Sequence, residues 1–269
     1  MRHLLFLIIA SRDIVHEQDM ASQKATFATN GEFNKFFFLR GSVQKMVQKN
    51  EQDLYVNCHD SYQNILQKTI LGFQEILRKE QFDFLIRSNV STYFDLISFQ
   101  KKLINIEPSK DPLVLGFREI AKNSEGLEEV FISGNSFILN KAAVELLAEV
   151  NWEKYRSIPD DIALSREIVR YGIRTISLRR GNLHKSKIFI PSTYVRAKSS
   201  ERAELTSHRI LSLHKYYTAK GQRKILEWFK ISLYEFRETN WTFQEIGHYL
   251  RDLYVLVRLY FLNANHYDF

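Results

Sequence analysis

Residues 4–10, LLFLIIA, form an unbroken apolar run that ends at the polar turn Ser11-Arg12-Asp13. Such a run predicts a strand buried on both faces. A helix is expected over about 18–29, a second strand over 36–41 stopped by Gly41, and a third over 53–59, where polar residues sit between apolar ones. From Ser61 to about Lys79 the residues Ile65, Ile70, Phe73, Ile76 and Leu77 recur at helical spacing. Residues 82–88 read as another strand and 96–104 as a short helix, with 105–128 as a loop. In the second half, 130–140 reads as two strand-like pieces interrupted by Gly134, where a bend or a close backbone approach is expected. Residues 141–150 are a strong helical stretch. A second one over 161–172 follows Pro159 and carries Gly172 as its C-cap. A strand over 173–178 leads to the loop RRGNLHK, 179–185. From about Ser200 the chain reads as helical to its end.

Strands alternating with helices imply an α/β fold, a mainly parallel sheet flanked by helices on both faces. The expected organisation is one domain over 1–198 with a helical C-terminal extension over 199–269. In open sheets of this kind, ligands bind beyond the carboxyl ends of the strands. Ser11, Asp60 and Ser88–Ser91 all follow predicted strands at that edge, which places a site there.

Composition adds a direction. The chain has 269 residues, 45% hydrophobic and 26% charged, within the ordinary range for globular proteins. The formal net charge of +7 points to a polyanionic partner or a membrane surface. It is concentrated: between Arg179 and Lys230 the acids are Glu201, Glu204 and Glu227. The single cysteine, Cys58, rules out an internal disulfide framework and fits a reducing compartment, so a cytoplasmic location is expected. It reads as a small buried residue rather than a nucleophile. The run at 4–10 is too short to span a bilayer and is read as a strand rather than a signal-peptide core.

Three acidic clusters carry potential chemistry. Asp160-Asp161 opens a helix after a proline and reads either as helix-terminus acids or as a general base at a sheet edge. Asp60 reads as an N-cap before a helix or as a ligand contact. Glu128-Glu129 reads as a solvated turn. His184 stands in a basic, glycine-containing loop. HExxH, paired CxxC, P-loop and GxSxG patterns are missing from the sequence, so metalloprotease, zinc-module, P-loop and α/β-hydrolase chemistry lose their usual signatures. No RNA-recognition signature or helix-turn-helix accompanies the charge, and nucleic acid is not an expected partner.

DSYQNILQKT, 60–69, resembles the DSYxNLTxKT segment of the β-1,3-galactosyltransferase and Fringe-like glycosyltransferases of family 31. FDFLIRSNVSTYFDL follows in register with the family's strand and Asp-x-Asp motif. VFISGNSFILNKAAVELL is similar to its glycine-containing acceptor-side segment, PDDIALS to its Glu-Asp-Val motif, and SQKATF to its early IRxTW segment, with Lys24 at the Arg position. His184 falls near a late metal-binding His. The resemblance runs in order over about residues 4–198. It implies a GT-A fold and an inverting transfer from a nucleotide sugar, a UDP-hexose or UDP-N-acetylhexosamine, to a glycan or lipid-linked glycan hydroxyl. Asp161 would be the catalytic base, with Gly134, Asn135 and Asp160 on the acceptor side. Ser11, Arg12, Lys24, Asp60, Lys68, Arg87, Ser88, Asn89, Ser91, His184 and Lys185 would face the donor.

The chain departs from this family where the family holds its divalent cation, manganese or magnesium. Asn89 and Ser91 offer neutral oxygens and Val90 offers none, whereas hard cations favour carboxylates; His184 and Ser91 are the remaining candidate ligands. The expectation is transfer that is metal-independent or weakly metal-dependent, with the leaving diphosphate stabilised by Arg12, Lys24, Lys68, Arg87 or Lys185. The alternative is a non-catalytic nucleotide-sugar or glycan-binding protein on a degenerate GT-A fold. In the C-terminal third, Ile246, Tyr249, Leu250, Leu253, Tyr254, Val257, Tyr260 and Phe261 fall on one helical face. That face would either pack on the core or lie in a membrane interface.

Overall fold

The structure, a computed structural model, describes residues 1–43, 49–50, 52–107, 109–122, 126, 128–178, 181–182, 194–196, 203–220, 223–224, 226–227 and 230–231. The chain order is β1 (Leu4–Ile9), α1 (Ile14–Lys24), β2 (Asn34–Gly41), β3 (Lys49–Asn50), β4 (Asp53–Val56), a 3-10 turn (Tyr62–Asn64), α2 (Ile65–Lys79), β5 (Phe84–Asn89), β6 (Thr92–Phe94) and α3 (Leu96–Ile104). There follow β7 (Leu113–Lys122), β8 (Glu128–Asn140), α4 (Lys141–Ala148), a second 3-10 turn (Trp152–Tyr155), α5 (Asp160–Arg170), β9 (Arg174–Ser177), β10 (Gly181–Asn182), β11 (Tyr194–Arg196) and α6 (Ala203–Thr218).

Eight strands make the main sheet in the order β3-β4-β2-β1-β5-β8-β7-β9. The pairs β4/β2, β2/β1, β1/β5 and β7/β9 are parallel, and β8 runs antiparallel between β5 and β7. The apolar run at the start of the chain is the sheet's central strand, buried on both faces as its pattern requires. Leu4, Phe6 and Ile8 point to one core, with Met20 of α1, Phe99 and Leu103 of α3, and Ile210 and Leu213 of α6. Leu5, Leu7 and Ile9 point to the other, with Ile70, Phe73 and Ile76 of α2, Val144 and Leu147 of α4, and Leu164 and Ile168 of α5. This is the expected α/β arrangement of a mainly parallel sheet covered by helices on both faces.

Several boundaries differ from the expectation. The first helix begins at Ile14, not near 18, because the Asp13 carboxylate accepts the Val15 N–H at 2.8 Å and caps it. The expected loop 105–128 contains β7, whose buried half LVLG gives way to an alternating half that stands on the solvent side of the sheet. The two pieces expected over 130–140 are one strand. Gly116 pairs with Phe137 and Arg118 with Ile132, which leaves Ser133, Gly134, Asn135 and Ser136 opposite Phe117. Such a bulge bends the strand and re-aims its side chains. Glu129, expected in a solvated turn, is the second residue of that strand and holds Arg166 through both oxygens, at 2.7 and 2.8 Å. Gly172 takes φ +63° after α5, the left-handed conformation of a helix C-cap.

The described part of the C-terminal third packs on the core: Ile210, Leu213, Tyr216 and Ile231 are buried in it. Among the described residues no helix is long and apolar enough to cross a membrane. The aromatic face from Ile246 to Phe261, on which the expected membrane contact depends, lies outside the described residues.

Candidate active site

The carboxyl ends of β1, β2 and β4 are tied together by one side chain. Asp60, just before the 3-10 turn, accepts the Arg12 N–H at 3.0 Å through Oδ2 and the Gly41 N–H at 3.2 Å through Oδ1. Lys68, on the first turns of α2, reaches the same Oδ1 at 2.5 Å and the Ala10 carbonyl at 2.7 Å. Asp60 therefore fixes the loops after β1 and β2 against each other. Its partners are two main-chain N–H groups and an ammonium, an arrangement that satisfies a partly buried carboxylate.

Beside it lies a depression of about 200 Å³ lined by Arg12, Gly41, Ser42, Val43, Cys58, His59 and Asp60. The exposed Arg12 guanidinium sits 5.7 Å from the Tyr55 ring centroid. Ser11, one residue earlier, has its Oγ 2.7 Å from His16 Nδ1. Burial pushes the Cys58 thiol up to about 11, so at neutral pH it is an inert lining group rather than a nucleophile.

Two strands along, the end of β5 and the bulge of β8 meet the head of α5. Arg87 is 1% exposed. Its Nη2 pairs with Asp160 Oδ2, and its Nη1 donates to the Gly134 carbonyl and, at 3.4 Å, to Asn89 Oδ1. Asp161 accepts the Gly134 N–H at 3.1 Å through Oδ2 and the Ile162 N–H at 3.0 Å through Oδ1. Burial, and then repulsion from Asp160, raise the Asp161 carboxyl above its ordinary 3.8, against the opposing pull of its N–H donors and Arg87. Tyr62, 76% exposed as a whole residue, lies within electrostatic reach of the pair. Its phenol is raised by burial first and then by Asp160 and Asp161. Residues 60–62 thus connect the depression at Arg12 with the acidic pair.

The turn after β5 is held from the opposite face. Gln23 of α1 donates through Nε2 to the carbonyls of Val90 at 2.7 Å and Thr92 at 2.9 Å. Val90 and Ser91 are buried, and Asn89 is partly so. Ser88 and its cross-strand partner Ser136 are buried with neither hydroxyl paired. Asn135 donates to Ser133 Oγ at 2.7 Å and its carbonyl takes the Thr92 hydroxyl at 3.1 Å.

A divalent cation does not fit this turn: its oxygens are neutral and Val90 is turned into the core. Among the described residues no three His, Cys, Asp or Glu side chains converge on one point. His184 and Lys185 lie outside the described residues.

Most of the expected residues therefore gather at one sheet edge, where Lys68, Arg87 and Asp60 are engaged with one another and with neighbouring groups. Lys68 and Arg87, expected to face a phosphate, are 2% and 1% exposed and already engaged by Asp60 and Asp160. Asp60, expected as a donor contact, is a tie between loops. Lys24 lies apart from the pair: its ammonium is 4.0 Å from Asp53 and 4.9 Å from the Phe38 ring centroid, in a separate depression with Ala28, Thr29, Asn30 and Gln52. Of the cations expected at the diphosphate, Arg12 is the described one open on the edge itself. Tyr62 and Gln23 carried no signal of their own; an exposed tyrosine and a helix glutamine become informative only through what they adjoin.

No family model and no curated protein sequence matches the chain. Among solved structures it is similar to the galactosyltransferase LgtC in complex with donor and acceptor sugar analogues, at 10% identity and a TM-score of 0.48, covering 83% of this chain and 99% of that one. It is also similar to the apo form of the glycosyltransferase GlyE of Streptococcus pneumoniae TIGR4, at 9% identity and a TM-score of 0.43, covering 87% of this chain and 64% of that one.

Proposed function

We propose that this chain is an inverting GT-A glycosyltransferase that moves a hexosyl or N-acetylhexosaminyl group from a UDP-sugar to a hydroxyl of a glycan or lipid-linked glycan. The observation that carries the reading is Asp161. A carboxylate of raised proton affinity stands at the head of α5, held among the described residues by two main-chain N–H groups and separated by residues 60–62 from a depression at the neighbouring strand ends. The motif order supports it: the segments that resemble the glycosyltransferase family meet at the carboxyl edge of the sheet.

In this reading the nucleotide occupies the depression at Arg12, Gly41 and His59, and the sugar extends toward Gly134. The acceptor hydroxyl gives its proton to Asp161. Its oxygen forms the new bond to the anomeric carbon while the bond from that carbon to the diphosphate breaks on the opposite side, the electron pair leaving with the nucleotide. A base whose pKa is lifted toward the working pH accepts the proton more effectively. Arg12, with its forked guanidinium, meets the diphosphate charge. Transfer is metal-independent or weakly metal-dependent, since the turn at Asn89–Ser91 is neutral.

The neutral turn also favours a second reading, a protein that binds a nucleotide sugar without transferring it. A thermal-shift screen over nucleoside diphosphates and nucleotide sugars, with and without manganese, tests the binding both readings share. Stabilisation by uridine nucleotides without manganese is the expected result; no response to any nucleotide sinks both. Turnover in excess EDTA then separates the transferase from the binding protein.

A further inference from the structure

We propose that Arg87 is a positioning residue: its buried guanidinium, held between Asp160 and the Gly134 carbonyl, keeps Asp160 as an ion pair and leaves Asp161 to receive the acceptor proton, at the strand end where a carboxylate-held cation does not fit. The proposal rests on the transferase reading for the acceptor, but its structural basis is independent of it.

The forked side chain engages three elements at once. One nitrogen pairs with Asp160 on α5, another with the Gly134 carbonyl in the β8 bulge and with Asn89 at the end of its own strand. The third, Nε, is buried without a partner. A lysine has no such fork and reaches one of these partners as a point charge. Gly134 turns its carbonyl to Arg87 and its N–H to Asp161, so the guanidinium anchors the glycine on one side while the peptide on its other side orients the base.

Among the described residues, the titratable and charged groups facing Asp161 are Asp160 from its own helix, Arg87 from β5, and the neutral Tyr62 phenol from the 3-10 turn. Without Arg87, Asp160 stands unpaired beside Asp161, and two carboxylates in one partly buried place hold protons more tightly. Without Asp160, the guanidinium acts on Asp161 alone and the proton is released earlier.

Carboxylate-detected carbon-13 NMR on the full chain, titrating Asp161 in wild type, R87K, R87M and D160N, is the test. The Asp161 midpoint is expected to rise by about one unit in R87M and fall by a similar amount in D160N, with R87K between R87M and wild type. If R87M does not fold, D160N and the double variant R87M/D160N decide, because the double leaves no charge unpaired; its midpoint is expected near that of wild type. An Asp161 midpoint unmoved by D160N, or unmoved in a folded R87M, overturns the proposal. Turnover of a UDP-sugar is read in parallel: in R87M the acid limb of the kcat profile is expected to move up in pH with the Asp161 midpoint, so that kcat falls on that limb, with donor KM held within about twofold because the nucleotide pocket stays intact. An inactive wild type whose Asp161 responds as expected supports the positioning role and counts against the transferase. An active wild type whose Asp161 and kcat ignore Arg87 does the reverse.

Discussion

Gly134 and Asp161 lie so close that a side chain on the glycine would need its neighbours to give way by a few tenths of an ångström. A Cβ on Gly134 would lie 3.3 Å from both Asp161 Cβ and Oδ2, and 3.0 Å from Arg87 Nη1. Gly134→Ala is therefore expected to push the base off its N–H donor. A stability loss of about 1–2 kcal/mol, typical of overpacking, should accompany a tenfold or larger fall in transfer. Thermal unfolding and kcat measured on the same preparation check this; a variant unchanged in both would mean that the two residues do not touch.

Asp161→Asn keeps one of the two hydrogen bonds from Gly134 and Ile162, because its amide has a single acceptor oxygen, and it cannot take the acceptor proton. Transfer should fall by about 10²–10⁴-fold, the usual contribution of a general base, with a loss of about 1 kcal/mol in stability from the forfeited hydrogen bond, while the melting shift produced by UDP stays close to wild type. The pH profile of kcat/KM should show an acid limb whose midpoint lies above the ordinary carboxylate value of 3.8, as burial and Asp160 require. A limb at or below that value would assign the base elsewhere.

Lys68→Met removes the cation from a carboxylate that is mostly buried, leaving Asp60 with its two N–H donors. Breaking such a pair costs about 3 kcal/mol, read as a lower denaturation midpoint at constant slope. The double variant Asp60→Asn, Lys68→Met should recover part of that loss, because it leaves no unpaired charge. Additive single effects would show that the ion pair does not tie the loops.

Asp19 of α1 is 3% exposed and takes the Ser207 hydroxyl of α6 at 2.8 Å. Burial raises its carboxyl to about 6. The unfolded chain releases this proton near 3.8 and the folded chain near 6, so the contribution to stability is full below 3.8 and is lost as pH rises to about 6. Asp19→Asn should be more stable than wild type at pH 7.5, by at most roughly 3 kcal/mol at about 1.4 kcal/mol per unit, and should lack that acid-range slope. Parallel melting curves at pH 4.5 and 7.5 would remove Asp19 from the account.

Local pattern determined much of the protein. The apolar run at 4–10, the spacing from Ile65 to Leu77 and the helices at 96–104 and 141–148 each carry their structure in neighbours a few residues away, because strand and helix periods are short-range properties. The same alternation of elements put Ser11, Asp60 and Asn89 beyond strand ends, and the structure brings them to one edge of the sheet. Periodicity did not register the β7 strand, since only its first half is fully buried. The roles of the charged residues were decided by the tertiary structure. Arg87 and Asp160 are 73 residues apart in the chain, and Gly134 and Asp161 are 27 apart. Whether a cation is open to a phosphate or closed on a carboxylate depends on which strands are adjacent, and that adjacency turned Lys68 and Arg87 from expected phosphate contacts into the ties that hold Asp60, Asp160 and the backbone beside Asp161.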